Sequence, residues 1–211
     1  MHSADSIPQP RRRRGRFVVL EGLSAVGKST VAPVAARLLG AEFIPTLPAW
    51  LADTRQRIDS TRVTAARLHF WMMCNYATAD AIEATLASGR DAVVESYFYR
   101  TLATHTAIGI GSPPEINWRS VPYPDLALLL TVDEQIRQER LELRRGTGKY
   151  TYWTSSEEAN VAATVAAYAS FGLPALDTTG HAPAEIAGEI ALLLSRTALQ
   201  HSDHRGDVRH A

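Results

Sequence analysis

Cysteine is nearly absent from this chain of 211 residues, since Cys74 is the only one. A single thiol excludes a disulfide within the chain, and with it the class of small disulfide-stapled domains. No apolar run approaches the roughly 18 residues needed to cross a bilayer. No apolar segment after the arginine run at 11–14 resembles a signal peptide. These absences predict a globular protein of the cytoplasm, without a membrane partner.

The chain also lacks a net charge, because 22 basic residues balance 22 acidic residues. A zero balance removes the overall field that steers many proteins to nucleic acid. The basic run at 11–14 precedes the first apolar segment, and residues 1–10 show no periodic pattern. We expect residues 1–15 to be a disordered basic tail and residues 198–211 a second disordered tail. A nucleic-acid arm is the alternative for the basic run.

What the chain does contain is a phosphate-binding loop at residues 22–29, which matches the pattern G-x-x-x-x-G-K-[ST]. Its glycines let several backbone N–H groups converge on one anion. An apolar strand pattern at 17–20 precedes the loop and a helical pattern at 30–39 follows it, as this motif requires. A glycine-rich turn without a ligand is the alternative. The predicted nucleotide-binding residues here are Gly22, Ser24, Ala25, Val26, Gly27, Lys28, Ser29 and Thr30.

Further along the chain, apolar runs alternate with helical patterns. Strands are predicted at 41–44, 92–95, 126–132 and 173–176, and helices at 61–88, 101–108, 134–145, 157–170 and 183–194. This alternation predicts an α/β fold with a central five-stranded parallel sheet flanked by helices. Ligands of such sheets bind beyond the carboxyl ends of the strands. We therefore expect residues 22–29, 45–48 and 95–99 to share one cleft with Asp133.

In this order, the segments from about residue 16 to residue 194 resemble the thymidylate kinase branch of the P-loop nucleoside and nucleotide kinases. Residues 94–97 are similar to the family's acidic-Arg-Tyr segment, and residues 68–89 have the spacing of its long third helix. The resemblance implies a three-layer P-loop NTPase fold with a helical lid. It also implies ATP and Mg²⁺ as cofactors and a homodimer along the long helix. We expect the kinase domain to span 16–197, with its lid at about 144–156.

Two residues are candidates for the central chemistry of phosphoryl transfer. Lys28 can reach the outer phosphates and offset their charge. Glu95 ends a predicted strand beside the loop, where it can bind Mg²⁺ together with Ser29 or take a proton from an acceptor hydroxyl. A solvated carboxylate at a strand end is the alternative for Glu95.

Arginines of the helix at 134–145 complete the predicted donor site. Arg140 and Arg144 precede a Gly-Thr-Gly segment, and they resemble lid residues that close on ATP and stabilise charge in the transition state. An ordinary charged helix face is the alternative, because glutamates are interspersed. Asp177, in a late Leu-Asp-Thr-Thr-Gly segment, is assigned to ATP binding by the resemblance.

The chain departs from the family pattern at the acceptor side. Ser24 stands where an acidic residue is usual, Ser96 where an arginine is usual, and Cys74 where an arginine reads the pyrimidine. Segment 45–48 lacks the usual arginine for the acceptor phosphate. A phosphate acceptor needs cations, whereas a hydroxyl acceptor needs a general base. The missing arginines and the retained Glu95 favour a hydroxyl acceptor, such as a nucleoside or a related metabolite.

The acceptor pocket is predicted from side chains that stack on rings or form polar contacts. These candidates are Trp50, Phe70, Trp71, Asn75, Tyr97 and Arg100. Arg100 is also the candidate to replace the arginine missing at Ser96, and His105 is expected to be packed or exposed rather than catalytic. A true nucleoside monophosphate kinase with relocated arginines stays open as a second enzyme. An NTP-hydrolysing switch, a nucleic-acid-dependent ATPase and a nucleotide-binding protein without catalysis are further alternatives.

Overall fold

The computed structural model describes residues 14–111, 114–147 and 151–206, and these residues build one parallel sheet between two layers of helices. The strands are β1 Phe17–Glu21, β2 Glu42–Ile44, β3 Ala92–Glu95, β4 Leu126–Thr131 and β5 Ala175–Asp177. Their order across the sheet is β2-β3-β1-β4-β5, and every pairing is parallel. The five-stranded parallel sheet predicted from the sequence is confirmed. The loop that follows β1 therefore lies at the middle of the sheet's carboxyl edge.

Helices cover both faces of the sheet. They are α1 Lys28–Leu39, α2 Ala52–Asp59, α3 Thr64–Ala87, α4 Phe98–Ala107, α5 Glu134–Gly146, α6 Tyr152–Glu158, α7 Val161–Ala169 and α8 Pro183–Gly206. Phe17 and Val19 of β1 pack with α3, α4 and α7, whereas Val18 and Leu20 pack with α1 and α8. This alternation follows from the two-residue period of a strand. None of the described helices is both long and apolar enough to cross a bilayer.

The apolar patterns located most helices but not all of their ends. Helix α4 begins at Phe98 rather than at residue 101, and residues 157–170 contain the end of α6 and all of α7 rather than one helix. Helix α2 was not predicted, because it has no fully buried residue and so shows no apolar stripe. Helix α8 continues to Gly206, so residues 198–206 of the expected C-terminal tail are helical. Residues 207–211 lie outside the described residues.

The described end of the expected N-terminal tail is held against the domain. Arg14 and Arg16 each lie 2.6 Å from a carboxylate oxygen, on Glu83 and Asp91 respectively. Between them, Gly15 donates its N–H to the last turn of α3. Two arginines at this end of the chain are thus neutralised by neighbouring acids, and residues 14 and 15 of the expected tail contact the domain. Residues 1–13 lie outside the described residues.

Candidate active site

The phosphate loop has the backbone geometry that its glycines permit. Gly22 and Gly27 have φ values of 133° and 109°, which only glycine adopts without strain. A Cβ atom on Gly22 would lie 2.4 Å from the carbonyl oxygen of Leu130. Gly27 immediately precedes α1, so the N–H groups of the first turn are left to bind an anion. The loop therefore fits the phosphates of a nucleotide.

Lys28 is buried at the centre of this loop. Its Nζ donates to two loop carbonyls, both at 2.7 Å. Burial lowers the pKa of Lys28, and burial also raises the pKa of the neighbouring Glu21 carboxyl. Glu21 accepts hydrogen bonds from the N–H of Tyr97 and from the hydroxyl of Tyr168, which fixes the start of the loop. A bound phosphate would favour the charged form of Lys28.

A cavity of about 320 Å³ opens on one side of the loop. The carboxyl-edge residues that line it are Ser24, Ala25, Gly27, Lys28, Ser29, Pro45, Thr46, Leu47, Glu95, Ser96 and Tyr97. Three of the segments that were expected to share a cleft therefore do so. Asp133 is the exception, because its carboxylate accepts the N–H groups of Gln135 and Ile136 and so caps α5. Further parts of the wall come from α2, α3, α4, α5 and α6. We call this space the first cavity.

Glu95 presents a carboxylate to the first cavity. Its Oε2 atom is buried and has no hydrogen-bond partner among the described residues. The hydroxyl of Thr46 donates to the carbonyls of Glu95 and Ser96, and Ser96 has a left-handed φ of 74°, so the strand end is held in an unusual shape. Ser29 lines the same cavity. One carboxylate and one hydroxyl fit a Mg²⁺ ion that takes its other ligands from phosphates and water.

Arg100 and Glu157 form an ion pair over the loop. Arg100 Nη2 lies 3.1 Å from Glu157 Oε2, and the Glu157 side chain is fully buried. Arg100 also donates to the Gly22 carbonyl and to the Ser24 hydroxyl, while Glu157 accepts the backbone N–H of Ser24. Helix α6, which begins in the predicted lid, is thereby fastened to the loop. Ser24 is the third residue of the loop, where the resemblance predicts an acidic side chain. The carboxylate of Glu157 lies next to this position instead.

A second cavity, of about 360 Å³, lies on the other side of the loop. Its wall includes Ala25, Val26, Gly27, Thr30, Val31, Arg140, Leu143, Arg144, Thr178, His181, Pro183 and Ile186. Arg140 Nη1 donates to the Ala25 carbonyl at 3.1 Å, and Arg144 lines both cavities. The two arginines predicted for the lid therefore both lie in the wall of the second cavity.

Asp177 does not reach the wall of the second cavity. It is exposed, and its carboxylate accepts hydrogen bonds from the N–H and the hydroxyl of Thr179. The next residue, Thr178, lines the cavity instead and donates its hydroxyl to the carbonyl of Val26. The end of β5 and the loop after it therefore contribute Thr178 and His181 to this cavity, and neither residue was predicted for a site.

Comparison with known proteins gives relatives of one kind. A probable thymidylate kinase of Pyrobaculum aerophilum is 26% identical over 195 residues, which cover 85% of this chain and 96% of the relative. A probable thymidylate kinase of Pyrococcus horikoshii is 28% identical over 151 residues, which cover 62% of this chain and 72% of the relative. The chain is thymidylate kinase-like. The resemblance predicted from the sequence is thus confirmed, although no protein-family model matches the chain.

Solved structures support the fold of this thymidylate kinase-like chain. The thymidylate kinase of Candida albicans superposes with a TM-score of 0.63 at 17% identity, covering 88% of this chain and 93% of that structure. The thymidylate kinase of Ehrlichia chaffeensis superposes with a TM-score of 0.55 at 14% identity, covering 86% and 99%. The predicted P-loop NTPase fold is confirmed.

Three of the six predicted acceptor residues of this thymidylate kinase-like chain line the first cavity. They are Trp71 on α3, Tyr97 before α4 and Arg100 on α4. Trp50 does not, and its side chain is 71% exposed. Composition does not distinguish Trp50 from Trp71, whereas the structure does, because only the Trp71 ring packs against Trp153 at the cavity.

The other two predicted acceptor residues are buried away from the cavity wall. Phe70 packs with Leu51 and Cys74 in a small apolar cluster. Asn75 is fully buried, and its Nδ2 donates to the hydroxyl of Thr101 at 2.9 Å. Cys74 lies in the same apolar cluster as Phe70. The position at which the family resemblance predicts an arginine that binds the pyrimidine is therefore a buried cysteine in this chain.

The wall of the first cavity contains other residues that were not predicted to lie there, among them Arg55, Thr104, His105 and Trp153. We call the part of this wall that is formed by α2, α3, α4 and α6, where the acceptor is predicted to bind, the acceptor wall. The Nδ1–H of His105 donates to the Thr101 carbonyl, and its ring lies 5.1 Å from that of Trp153. Burial lowers the pKa of His105. The expectation that His105 is packed holds, but it also lines the cavity. His105 follows Thr101 by four residues on α4, so the two side chains share one face of the helix. This spacing could have predicted that His105 lies near the cavity.

Proposed function

We propose that this protein is an ATP-dependent phosphotransferase that moves the γ-phosphate of Mg-ATP to a hydroxyl of a nucleoside or a nucleoside-like small molecule. One observation carries the proposal. The first cavity holds the donor groups Lys28 and Ser29 together with Glu95, whose buried Oε2 has no partner among the described residues. A kinase for hydroxyl acceptors needs this combination of a phosphate cradle and a free carboxylate.

The loop and the arginines supply most of the catalysis through positioning and charge. The loop N–H groups and Lys28 hold the donor phosphates, while Arg140 and Arg144 add positive charge around the transferred group. Bound Mg²⁺ offsets phosphate charge and would be held by Ser29 and Glu95. As the acceptor oxygen bonds to the γ-phosphorus, Glu95 takes the hydroxyl proton, directly or through water. The bond to the bridging oxygen breaks and ADP leaves.

The charges of the acceptor wall support a hydroxyl acceptor. Arg55 lies 3.3 Å from a carboxylate oxygen of Asp59, and Arg100 is paired with Glu157. Both cations are therefore already neutralised by protein carboxylates. Arg144, the third arginine of the first cavity, also lines the second cavity, where the donor is expected. An acceptor phosphate would therefore meet two arginines whose charge is already offset by a protein carboxylate.

A nucleoside monophosphate kinase is the alternative, and two observations favour it. The relatives are named thymidylate kinases. Arg55 and Arg100 both line the first cavity, so a movement of Asp59 or Glu157 would free a cation for an acceptor phosphate.

The experiment compares thymidine, thymidine monophosphate and a panel of nucleosides as acceptors, with ADP release and product mass as readouts. We expect nucleosides to be phosphorylated. We expect Glu95→Gln to lower kcat by about 10²- to 10⁴-fold, because it removes the general base and also weakens the proposed Mg²⁺ site. Glu189→Gln, on an exposed position of α8, is the matched control and should leave kcat unchanged.

Each other result has a defined meaning. Phosphorylation of thymidine monophosphate alone would replace this proposal with the monophosphate kinase. ATP hydrolysis that is independent of every acceptor would replace it with an NTPase. A Glu95→Gln variant with full kcat would remove the general base from the mechanism.

We further propose a homodimer along α3 in the cytoplasm. The family resemblance implies this dimer, and Met73 and Tyr76 of α3 support it because their side chains are 43% and 40% exposed. The single cysteine and the ATP-binding loop support the location. Sedimentation velocity of the full chain separates a dimer from a monomer.

A further inference from the structure

Several polar atoms in the wall of the first cavity are buried without a hydrogen-bond partner among the described residues. They are Trp71 Nε1, Glu95 Oε2, Tyr97 Oη, Thr104 Oγ1 and His105 Nε2. A buried polar group without a partner costs free energy, so such groups are rare in folded proteins. Glu95 already has a role as the base, and the Tyr97 ring packs against Phe17 and Phe98 in the core. The other three come from α3 and α4 and have no role in the phosphoryl transfer.

These three atoms offer a defined set of hydrogen bonds. A carbonyl oxygen can only accept, so His105 must donate Nδ1–H to Thr101, which leaves Nε2 of the neutral ring as an acceptor. The indole Nε1 of Trp71 can only donate. The hydroxyl of Thr104 can do either.

Aromatic rings lie beside these atoms, and the charged neighbours are Arg55 and Arg67. The Trp153 ring lies 5.1 Å from His105 and 6.0 Å from Trp71, measured between centroids. The charge of Arg55, which lies over the Trp71 ring, is paired with Asp59. Burial of His105 also favours its neutral form. This part of the wall therefore suits a flat, uncharged ligand with polar edges.

We propose that Trp71, Thr104 and His105 read the ring of the acceptor, a planar uncharged heterocycle with an N–H donor for His105 Nε2 and a carbonyl or ring nitrogen for Trp71 Nε1. The inference rests on the proposed function, which places an acceptor in this cavity. Cys74 is buried in a core cluster and has no cationic group. The arginine that the family resemblance predicts at position 74 is therefore absent, and neutral groups of Trp71, Thr104 and His105 would bind the ring instead.

The test measures binding to the full-length protein by calorimetry, without ATP. The probes are thymidine and inosine, which carry an N–H beside a carbonyl, and their N-methylated forms, 3-methylthymidine and 1-methylinosine. We expect at least one parent nucleoside to bind and its methylated form to bind at least about tenfold more weakly, because methylation removes the donor to His105. This comparison uses the wild-type chain and does not depend on a variant that folds.

Variants then assign the effect to residues. His105→Leu should weaken binding of the parent nucleoside about tenfold and abolish the discrimination against the methylated form. Trp71→Phe keeps a ring but loses the N–H, and should weaken binding about fivefold. Trp50→Phe, at the exposed tryptophan outside the cavity, is the matched control and should change nothing.

Phosphorylation of the same nucleosides, measured on the same preparations, separates this inference from the proposed function. Transfer of phosphate without discrimination between parent and methylated nucleosides would overturn the ring site alone. Discriminating binding without transfer would overturn the kinase activity alone. Failure of both nucleosides to bind the wild type would also overturn the ring site.

Discussion

The donor side and the acceptor side of the cleft are built in different ways. The proposed donor side is centred on one continuous stretch, residues 22–29, whose binding groups are mostly backbone N–H groups, and α5 and the end of β5 add side chains to it. The acceptor side is assembled from side chains on α2, α3, α4 and α6, which lie far apart in the sequence. Backbone N–H groups bind any phosphate chain, whereas converging side chains distinguish one ring from another. The difference supports the proposal of a general donor site and a selective acceptor site.

The largest effect is expected at the donor side. Lys28→Ala removes the only side-chain cation of the loop and should lower phosphorylation of every acceptor by at least about 10³-fold. Arg37→Ala, at an exposed position of the same helix, is the control. Initial rates of ADP release with thymidine and thymidine monophosphate give the comparison. Substantial activity in the Lys28 variant would show that the loop is not the donor site.

A smaller effect is expected where the two sides meet, at the ion pair between Glu157 and Arg100. Glu157→Gln leaves the mostly buried charge of Arg100 uncompensated, which should lower the free energy of unfolding by about 2 kcal/mol. Glu83→Gln breaks an ion pair with Arg14 whose side chains are both more than half exposed. It should cost at most about 0.5 kcal/mol. Urea denaturation measures both, and equal losses would mean that Glu157 does not hold the lid on the loop.

The smallest effect is expected at His105 on the acceptor side. Its pKa is lowered by burial and by Arg67, so its contribution to stability is present above pH 6.5, near the unfolded value. That contribution is lost as the pH falls through the lower folded pKa. His105→Gln should therefore gain stability relative to the wild type on acidification from pH 7 to pH 5, by up to about 1 kcal/mol per pH unit.

The control for this pH dependence is His69→Gln, at an exposed histidine of α3. Urea denaturation at pH 5, 6, 7 and 8 provides the data for both variants. A constant difference between wild type and the His105 variant over this range would argue against a buried neutral imidazole in the acceptor wall.

Prediction from the sequence succeeded where the residues of a motif or an element are close together in the chain. The loop, the strand before it and the helix after it lie within residues 17–39, and Glu95 is the last residue of β3. It failed where contacts span the fold. Glu157 meets Ser24 across 133 positions, so no local pattern could assign it to the loop.

The acceptor wall also shows that local sequence patterns do not predict which side chains meet in the fold. Trp50 and Trp71 are equally good aromatic candidates in sequence, but one is exposed and the other lines the cavity. Helix α2, which brings Arg55 to the wall, has no fully buried residue and therefore no apolar period to read.

The sequence by itself determined the parallel sheet and the phosphate loop, because strand and helix periods and a continuous motif are local properties. The tertiary structure decided which side chains meet opposite that loop. It buried Cys74, turned Trp71 and His105 to one cavity and seated Glu157 on the loop. These choices depend on how α3, α4 and α6 pack against each other, and such packing is set by contacts between residues that are distant in the chain.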